Sequence, residues 1–221
     1  MQLWQHIAIE SALAAPSALR EIDAATFMFN PWQTMSPQIN SAANEIDSLF
    51  SQIDASLLKG KAVSEAMKGR KFTAAMHKVI ASSRLHGFLH TAQYSKAHMP
   101  ADYGYTLTDA ARKRAAKVNR LMRKTSKKTL TSNPESPYVL SKQRALASAN
   151  FEASNSYFMG VQDAMKGKAA KKQWVTSSAR PCDDCLDNEE AGWIAFSEPF
   201  ESGDQAPLMH MNCRCALRVK L

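Results

Sequence analysis

All four cysteines of the chain lie between Cys182 and Cys215. Cys182-Asp-Asp-Cys185 is a Cys-x-x-Cys pair, and His210-Met-Asn-Cys213-Arg-Cys215 follows it on a second segment. In a Cys-x-x-Cys pair two thiolates converge on one ion while the backbone turns beneath them. A second pair from a distant segment then completes a tetrahedron. Cysteine used only in closely spaced pairs, in a reducing compartment, favours metal over disulfide. Here Cys182, Cys185, His210, Cys213 and Cys215 compete for four positions. The expected set is Cys182, Cys185, His210 and Cys213, with Cys215 a substitute for either of the last two. Ligand type and spacing point to a structural zinc, because a thiolate-rich site closes its coordination sphere and leaves no place for a reacting water. Disulfides formed after lysis, or plain buried thiols, are the alternatives.

The second group with chemical potential is basic. The net charge is +8. From Thr108 to Leu130 the chain carries Arg112, Lys113, Arg114, Lys117, Arg120, Arg123, Lys124, Lys127 and Lys128, against the single acid Asp109. The rest of the chain nets to zero, so the basicity is local and implies a local partner. Such a helix could contact phosphates without reading sequence. A solvated face is the alternative, since these charges would wrap most of a helix circumference.

Other chemistries find little support. The eight glycines are scattered, with no Gly-x-Ser-x-Gly and no Gly-x-x-x-x-Gly-Lys. His86 and His90 have the spacing of helical zinc proteases, yet no glutamate follows His86, so they read as surface or packing histidines. Asp183, Asp184, Asp187, Glu189 and Glu190 crowd the first cysteine pair. They read as a solvated acidic loop, with a second cation or a nuclease site as the rival. No catalytic residue is expected.

These groups need elements to position them. The 221 residues, 45% apolar and 22% charged, suit one sizeable core with a small module. No apolar run is long enough to span a bilayer, and the N-terminus lacks the basic and apolar regions of a signal peptide. Folding in a reducing cytoplasm is therefore expected. Residues 1–35 carry helix-like spacing at Ile7, Ile9 and Leu13, then an aromatic patch from Phe27 to Trp32, read as packing on the chain's own core, with contact to another chain as the alternative. Ser36-Pro37 starts a helix whose stripe is Ile39, Ala42, Ile46, Leu49, Phe50, Ile53 and Leu57, ended by Gly60. A second helix is expected over 71–98, weakened at Gly87, and the two form a helical hairpin. The basic helix, 108–130, has Thr108 as its cap and Ala111, Ala115, Val118 and Met122 as its apolar line. Residues 132–137, with two prolines, read as a linker. A last long helix runs over 139–165, with Leu146, Ala149, Ala153, Tyr157, Val161 and Met165 on one side. Short strands are expected at Trp174-Val-Thr, at Trp193-Ile-Ala-Phe196 and at Leu217-Arg-Val219.

The surroundings of the ligands resemble the C-terminal domain of the Mu F-like minor head proteins of tailed bacteriophages, a head-morphogenesis family. That pattern has a Lys-x-Trp start, a Cys-x-x-Cys, a glycine in the next loop and an ending close to His-Pro-Asn-Cys-Arg-Cys. This chain has Lys172-Gln-Trp174, Cys182 and Cys185, Gly192, and His210-Met-Asn-Cys213-Arg-Cys215. Upstream, Ala149-Asn-Phe-Glu152, Tyr157 and Gly160 stand where family members carry an Ala-Arg-Thr-Glu helix ending in glycine. The likeness spans residues 140–221. Met211 replaces the usual proline, and Asn150-Phe151 replaces Arg-Thr. The resemblance implies a low-copy structural protein of the phage head, at or near the portal vertex. Its partners would be the portal or major capsid protein and the packaged DNA, and its location the virion after assembly in the host cytoplasm.

The fold class expected is α+β: a helical N-terminal part over 1–131, then a C-terminal α+β part over 138–221 that ends in the metal-knuckle module 172–221. A zinc-stabilised DNA-binding protein and a metal-dependent nuclease are the rival functions.

Overall fold

The computed structural model describes residues 26–52, 70–208, 210–211 and 213–221. The spacing at Ile7, Ile9 and Leu13, and the helix end expected at Gly60, lie outside them. The chain is mainly helical with one small antiparallel sheet, the α+β class that the patterning implies. It divides into two compact units, each discontinuous in sequence. Residues 1–36, 82–101 and 153–221 form one, and residues 37–81 and 102–152 the other. The two units therefore do not part at the expected 132–137 linker. Two long helices, α3 (Arg70–Ser95) and α5 (Lys142–Met165), contribute residues to both.

The first unit holds the sheet. Its strands are β1 (Thr26–Phe29), β2 (Lys171–Val175), β3 (Ile194–Ala195) and β4 (Ala216–Lys220), in the order β1-β4-β2-β3 with every pair antiparallel. Alternation buries Lys172 and Trp174 on β2, while Leu217 and Val219 are buried on β4. β1 is a strand that the aromatic patch concealed. Phe27 meets Tyr94 with ring centroids 4.3 Å apart, and Phe29 is 1% exposed, so the patch packs on its own core. Asn30 caps the short helix α1 (Pro31–Thr34) through the Trp32 N–H.

In the same unit, residues 82–95 of α3 cross residues 153–165 of α5 at backbone contact. A Cβ on Gly87 would collide with the Tyr157 carbonyl, and one on Gly160 with the Arg84 carbonyl. Gly87 therefore does not interrupt α3; it permits the crossing. Arg84 grips Asp163 with two hydrogen bonds of 2.7 and 3.0 Å. His86 and His90 are buried here. His90 Nδ1 lies 2.5 Å from the Tyr157 hydroxyl, and burial holds the His90 pKa down at about 4. Both histidines pack between helices, one of the two roles their spacing suggested.

The second unit is helical. α2 (Ser36–Ser51) buries Ile39, Ala42, Ala43, Ile46 and Phe50, and Phe50 stacks on Phe72 of α3 at 6.3 Å. α4 (Tyr103–Ser132) buries Leu107, Ala111, Ala115, Val118 and Leu130. It begins earlier than expected, so Thr108 is not its cap. The Thr108 hydroxyl donates within the helix to Gly104 O at 2.6 Å. A 3-10 turn (Pro137–Leu140) leads into α5. Leu146, placed on the buried side from spacing, is 37% exposed, and Ala145 takes the core position. Arg144 is buried without a carboxylate; it donates to Val139 O, Ser126 Oγ and Thr125 Oγ1 at 2.9, 2.9 and 3.0 Å.

Candidate metal centre and basic helix face

The Cys/His cluster assembles from two arms of one design. In the first, Cys182 stands at the N-cap of α6 (Asp183–Glu190), and the Cys185 N–H donates to Cys182 O at 3.0 Å. In the second, the Cys213 N–H donates to His210 O at 3.2 Å. Each arm thus closes a turn of the same spacing and presents two side chains from it. The arms meet ligand to ligand. Cys182 Sγ lies 3.3 Å from His210 Nε2, and Cys185 Sγ lies 3.9 Å from Cys213 Sγ. Tetrahedral ligands at zinc bond lengths stand roughly 3.5–3.8 Å apart, so each of these two separations suits a pair of ligands on a metal ion. His210 Nδ1–H donates to Met211 O at 3.0 Å, which leaves the Nε2 lone pair turned toward Cys182 and available to an ion.

Two triads are close enough to hold a metal ion: Cys182, Cys185 and His210, and Cys185, Cys213 and Cys215, each within 4.8 Å. Cys185 belongs to both. Cys215 is buried behind the paired turns, and Cys182 and His210 face outward. Hydrogen bonds from Cys215 hold the Cys213 thiol down at about 5, whereas burial pushes Cys185 up to about 12. Hydrogen bonding to Cys213 likewise raises Cys215. Sulphurs this close share protons unevenly because they cannot all ionise without a cation among them.

The segment between the arms has little regular structure, and buried polar contacts fix it. Glu189 accepts from Thr176 N at 2.9 Å and from Thr176 Oγ1 at 2.6 Å. Asn188 Nδ2 donates to Ser202 Oγ at 3.0 Å. Lys172, fully buried, donates through Nζ to Gln205 O and to Gln205 Oε1, both at 2.8 Å, over the Phe200 ring at 4.9 Å. Burial lowers its pKa to about 8. Arg214 rests on the Trp32 ring at 5.5 Å. Sequence reasoning placed Lys172 only as part of a motif. Its place two residues before Trp174, on the same side of a period-two strand, was the available signal for an inward-facing lysine. The acids near the first arm divide. Asp183, Asp184, Asp187 and Glu190 are exposed on α6, whereas Glu189 is taken up by Thr176.

The nine basic residues of α4 also divide. Arg114 forms a two-pronged pair with Glu152, both bonds 2.7 Å, with the Glu152 side chain only 6% exposed. Glu152 thus has its partner on another helix. Arg112 and Lys113 both reach Asp109 at 2.6 Å. Arg123 is half-buried. The others do not wrap the helix. Lys113, Lys117, Arg120, Lys124, Lys127 and Lys128 are all exposed. At the α-helical turn angle they fall within an arc of about 100°, opposite the buried stripe, over about 22 Å of axis. No acid stands between Lys113 and Lys128. Apart from Lys113, none of the six has an ion pair among the described residues.

No family model, no curated protein and no solved structure matches the chain. No helix among the described residues is long and apolar enough to cross a membrane.

Proposed function

We propose that this chain is a structural minor head protein of a tailed bacteriophage, built around a zinc-held C-terminal module and a helix that lies along packaged DNA. The observation that carries the reading is the meeting of two like turns, Cys182/Cys185 and His210/Cys213, inside a residue order that resembles the Mu F-like ending. Cys182, Cys185, His210 and Cys213 would hold the zinc, with Cys215 behind them as the unused fifth group. A zinc ion there supplies a cross-link between two arms and no chemistry beyond it. Four protein ligands leave no open position, and of the acids on α6 Asp183, Asp184, Asp187 and Glu190 are exposed while Glu189 is held by Thr176. Both features favour a structural over a nuclease role.

The basic stripe supports contact with duplex phosphates inside a DNA-filled head. It has the charge density that displaces counterions and, apart from Tyr105 near the helix start, no exposed aromatic side chain on which single-stranded bases could stack. The portal or major capsid protein is the proposed docking partner, and the head near the portal vertex the proposed location.

Two measurements test this reading. Elemental analysis of the reduced chain should give about one zinc per chain. Co-expression with the portal and major capsid proteins of the same phage should place a few copies in the assembled heads. A zinc-loaded chain that binds duplex DNA but stays out of the heads would instead establish the second reading, a zinc-stabilised DNA-binding protein working outside the virion.

A further inference from the structure

The basic stripe has a counterpart on the same chain. Residues 181–211 contain eight carboxylates and no lysine or arginine. The zero balance outside the basic helix therefore conceals a strongly acidic segment. On α6, Asp183, Asp187 and Glu190 are exposed and fall within an arc of about 60°, opposite the face that carries Cys185 and Asn188. Asp183 and Asp187 are like charges four residues apart, and Asp187 and Glu190 three apart, a spacing that destabilises an isolated helix. Glu190 also sits at the negative end of the helix dipole. Asp183, Asp187 and Glu190 have no ion pair among the described residues. The stripe on α4 has like repulsion of the opposite sign, unrelieved beyond Lys113: Arg120 and Lys124, and Lys124 and Lys128, each stand four apart.

We infer that the acidic face of α6 on one copy docks on the basic stripe of α4 on a second copy, and that duplex DNA competes for the same stripe. The charges are complementary, and both helices repeat them at three- and four-residue steps. The acidic arc covers about 10 Å of axis, so one face occupies about half of the stripe. An exposed leucine flanks each surface, Leu186 at 40% and Leu121 at 48% exposure, and these give the contact an apolar element. Each copy carries one face and one stripe, so the contact joins unlike surfaces of two copies. The carboxylates stand in for phosphates: the free protein is self-associated, and DNA releases it. This regulation rests on the reading of the stripe as a phosphate-contact surface.

The test is sedimentation of the full chain at low and high ionic strength, with two charge-reversed variants. One variant is Lys117→Glu with Lys124→Glu, which removes the stripe. The other is Asp187→Lys with Glu190→Lys, which removes the face while keeping every metal-ligand candidate. The parent should at least double its average mass at low salt, return to monomer at high salt, and dissociate when duplex DNA is added. Each variant alone should be monomeric. Their equimolar mixture retains one intact face and one intact stripe, so it should form a one-to-one pair and nothing larger. A parent that stays monomeric at low salt, or a mixture that does not pair, overturns the inference. Failure of the parent to bind duplex DNA at any salt, despite self-association, overturns instead the phosphate reading on which it rests.

Discussion

The Cys/His cluster and the basic helix concentrate side chains of one chemistry in opposite ways. In the cluster, residues 28 positions apart converge until Cys182 and His210 are 3.3 Å apart, and the backbone turns beneath them fix the geometry. On α4 the charges stay on one element and are mostly exposed; Arg112 and Lys113 pair within the helix with Asp109, and Arg114 alone of the nine pairs with another helix, through Glu152. The first arrangement needs the whole of its unit to exist; the second needs only a helix. Convergent groups should therefore be expensive to remove and divergent ones cheap, and three experiments can break or sharpen that contrast.

The largest effect should come from Cys185→Ser, because Cys185 belongs to both candidate triads. We expect loss of bound metal and destabilisation of the module on the order of 5 kcal/mol or more, read by metal content and calorimetry. Cys215→Ser should keep the metal. Equal metal loss in both variants would show that the two-turn design does not select the ligands.

An intermediate contrast lies within α4 itself. Arg114→Ala leaves the Glu152 carboxylate buried without its partner, and should cost about 3 kcal/mol in denaturant unfolding with little effect on DNA affinity. Lys117→Ala, on the stripe, should do the reverse. Stability should hold, while the slope of log affinity against log salt falls by about one. If Arg114→Ala weakens DNA binding more than Lys117→Ala, the division of the nine cations into stripe and support is wrong.

Acid separates the two units more gently. The His90 pKa is about 4 in the fold and 6.5 in the open chain. The unfolded state thus binds the extra proton first, and stability present above about 6.5 is lost as pH falls toward about 4. The full shift corresponds to about 3 kcal/mol at most. Among the described residues of the helical unit no histidine is buried. In urea melts across this window the parent should lose up to about 3 kcal/mol more stability than His90→Leu as pH falls, and parallel curves would exclude His90 as the source.

The legibility of the sequence follows the same contrast. Helix stripes were readable because their signal is periodic and local: Ile39, Ala42, Ile46 and Phe50 are all buried as their spacing implied. The metal candidates were readable because few residue types bind metal and these stood close in sequence. Long-range partners were not. Nothing in the order of residues pairs Arg114 with Glu152, puts Gly87 against Tyr157, or makes Thr26–Phe29 a neighbour of the last strand. These depend on which helix faces come together, a property of the assembled unit. Spacing alone also spreads the cations too widely around α4, because it does not show that Arg114 pairs with Glu152, that Arg112 pairs with Asp109, or that Arg123 is half-buried.

The sheet order has a consequence for synthesis. β4, Ala216–Lys220, is paired on both sides, between β1 and β2. The strand that joins the sheet is therefore the last of the four to leave the ribosome. Until then β1 can only wait, some 190 positions upstream, and the His210–Cys213 turn emerges only just ahead of β4. Translation thus delivers the helices first and the sheet in one late event, when a few residues zip two separated edges together. A nascent chain stopped before Ala216 would carry β1 and β2 with open edges, a substrate for chaperones and not yet a folding unit.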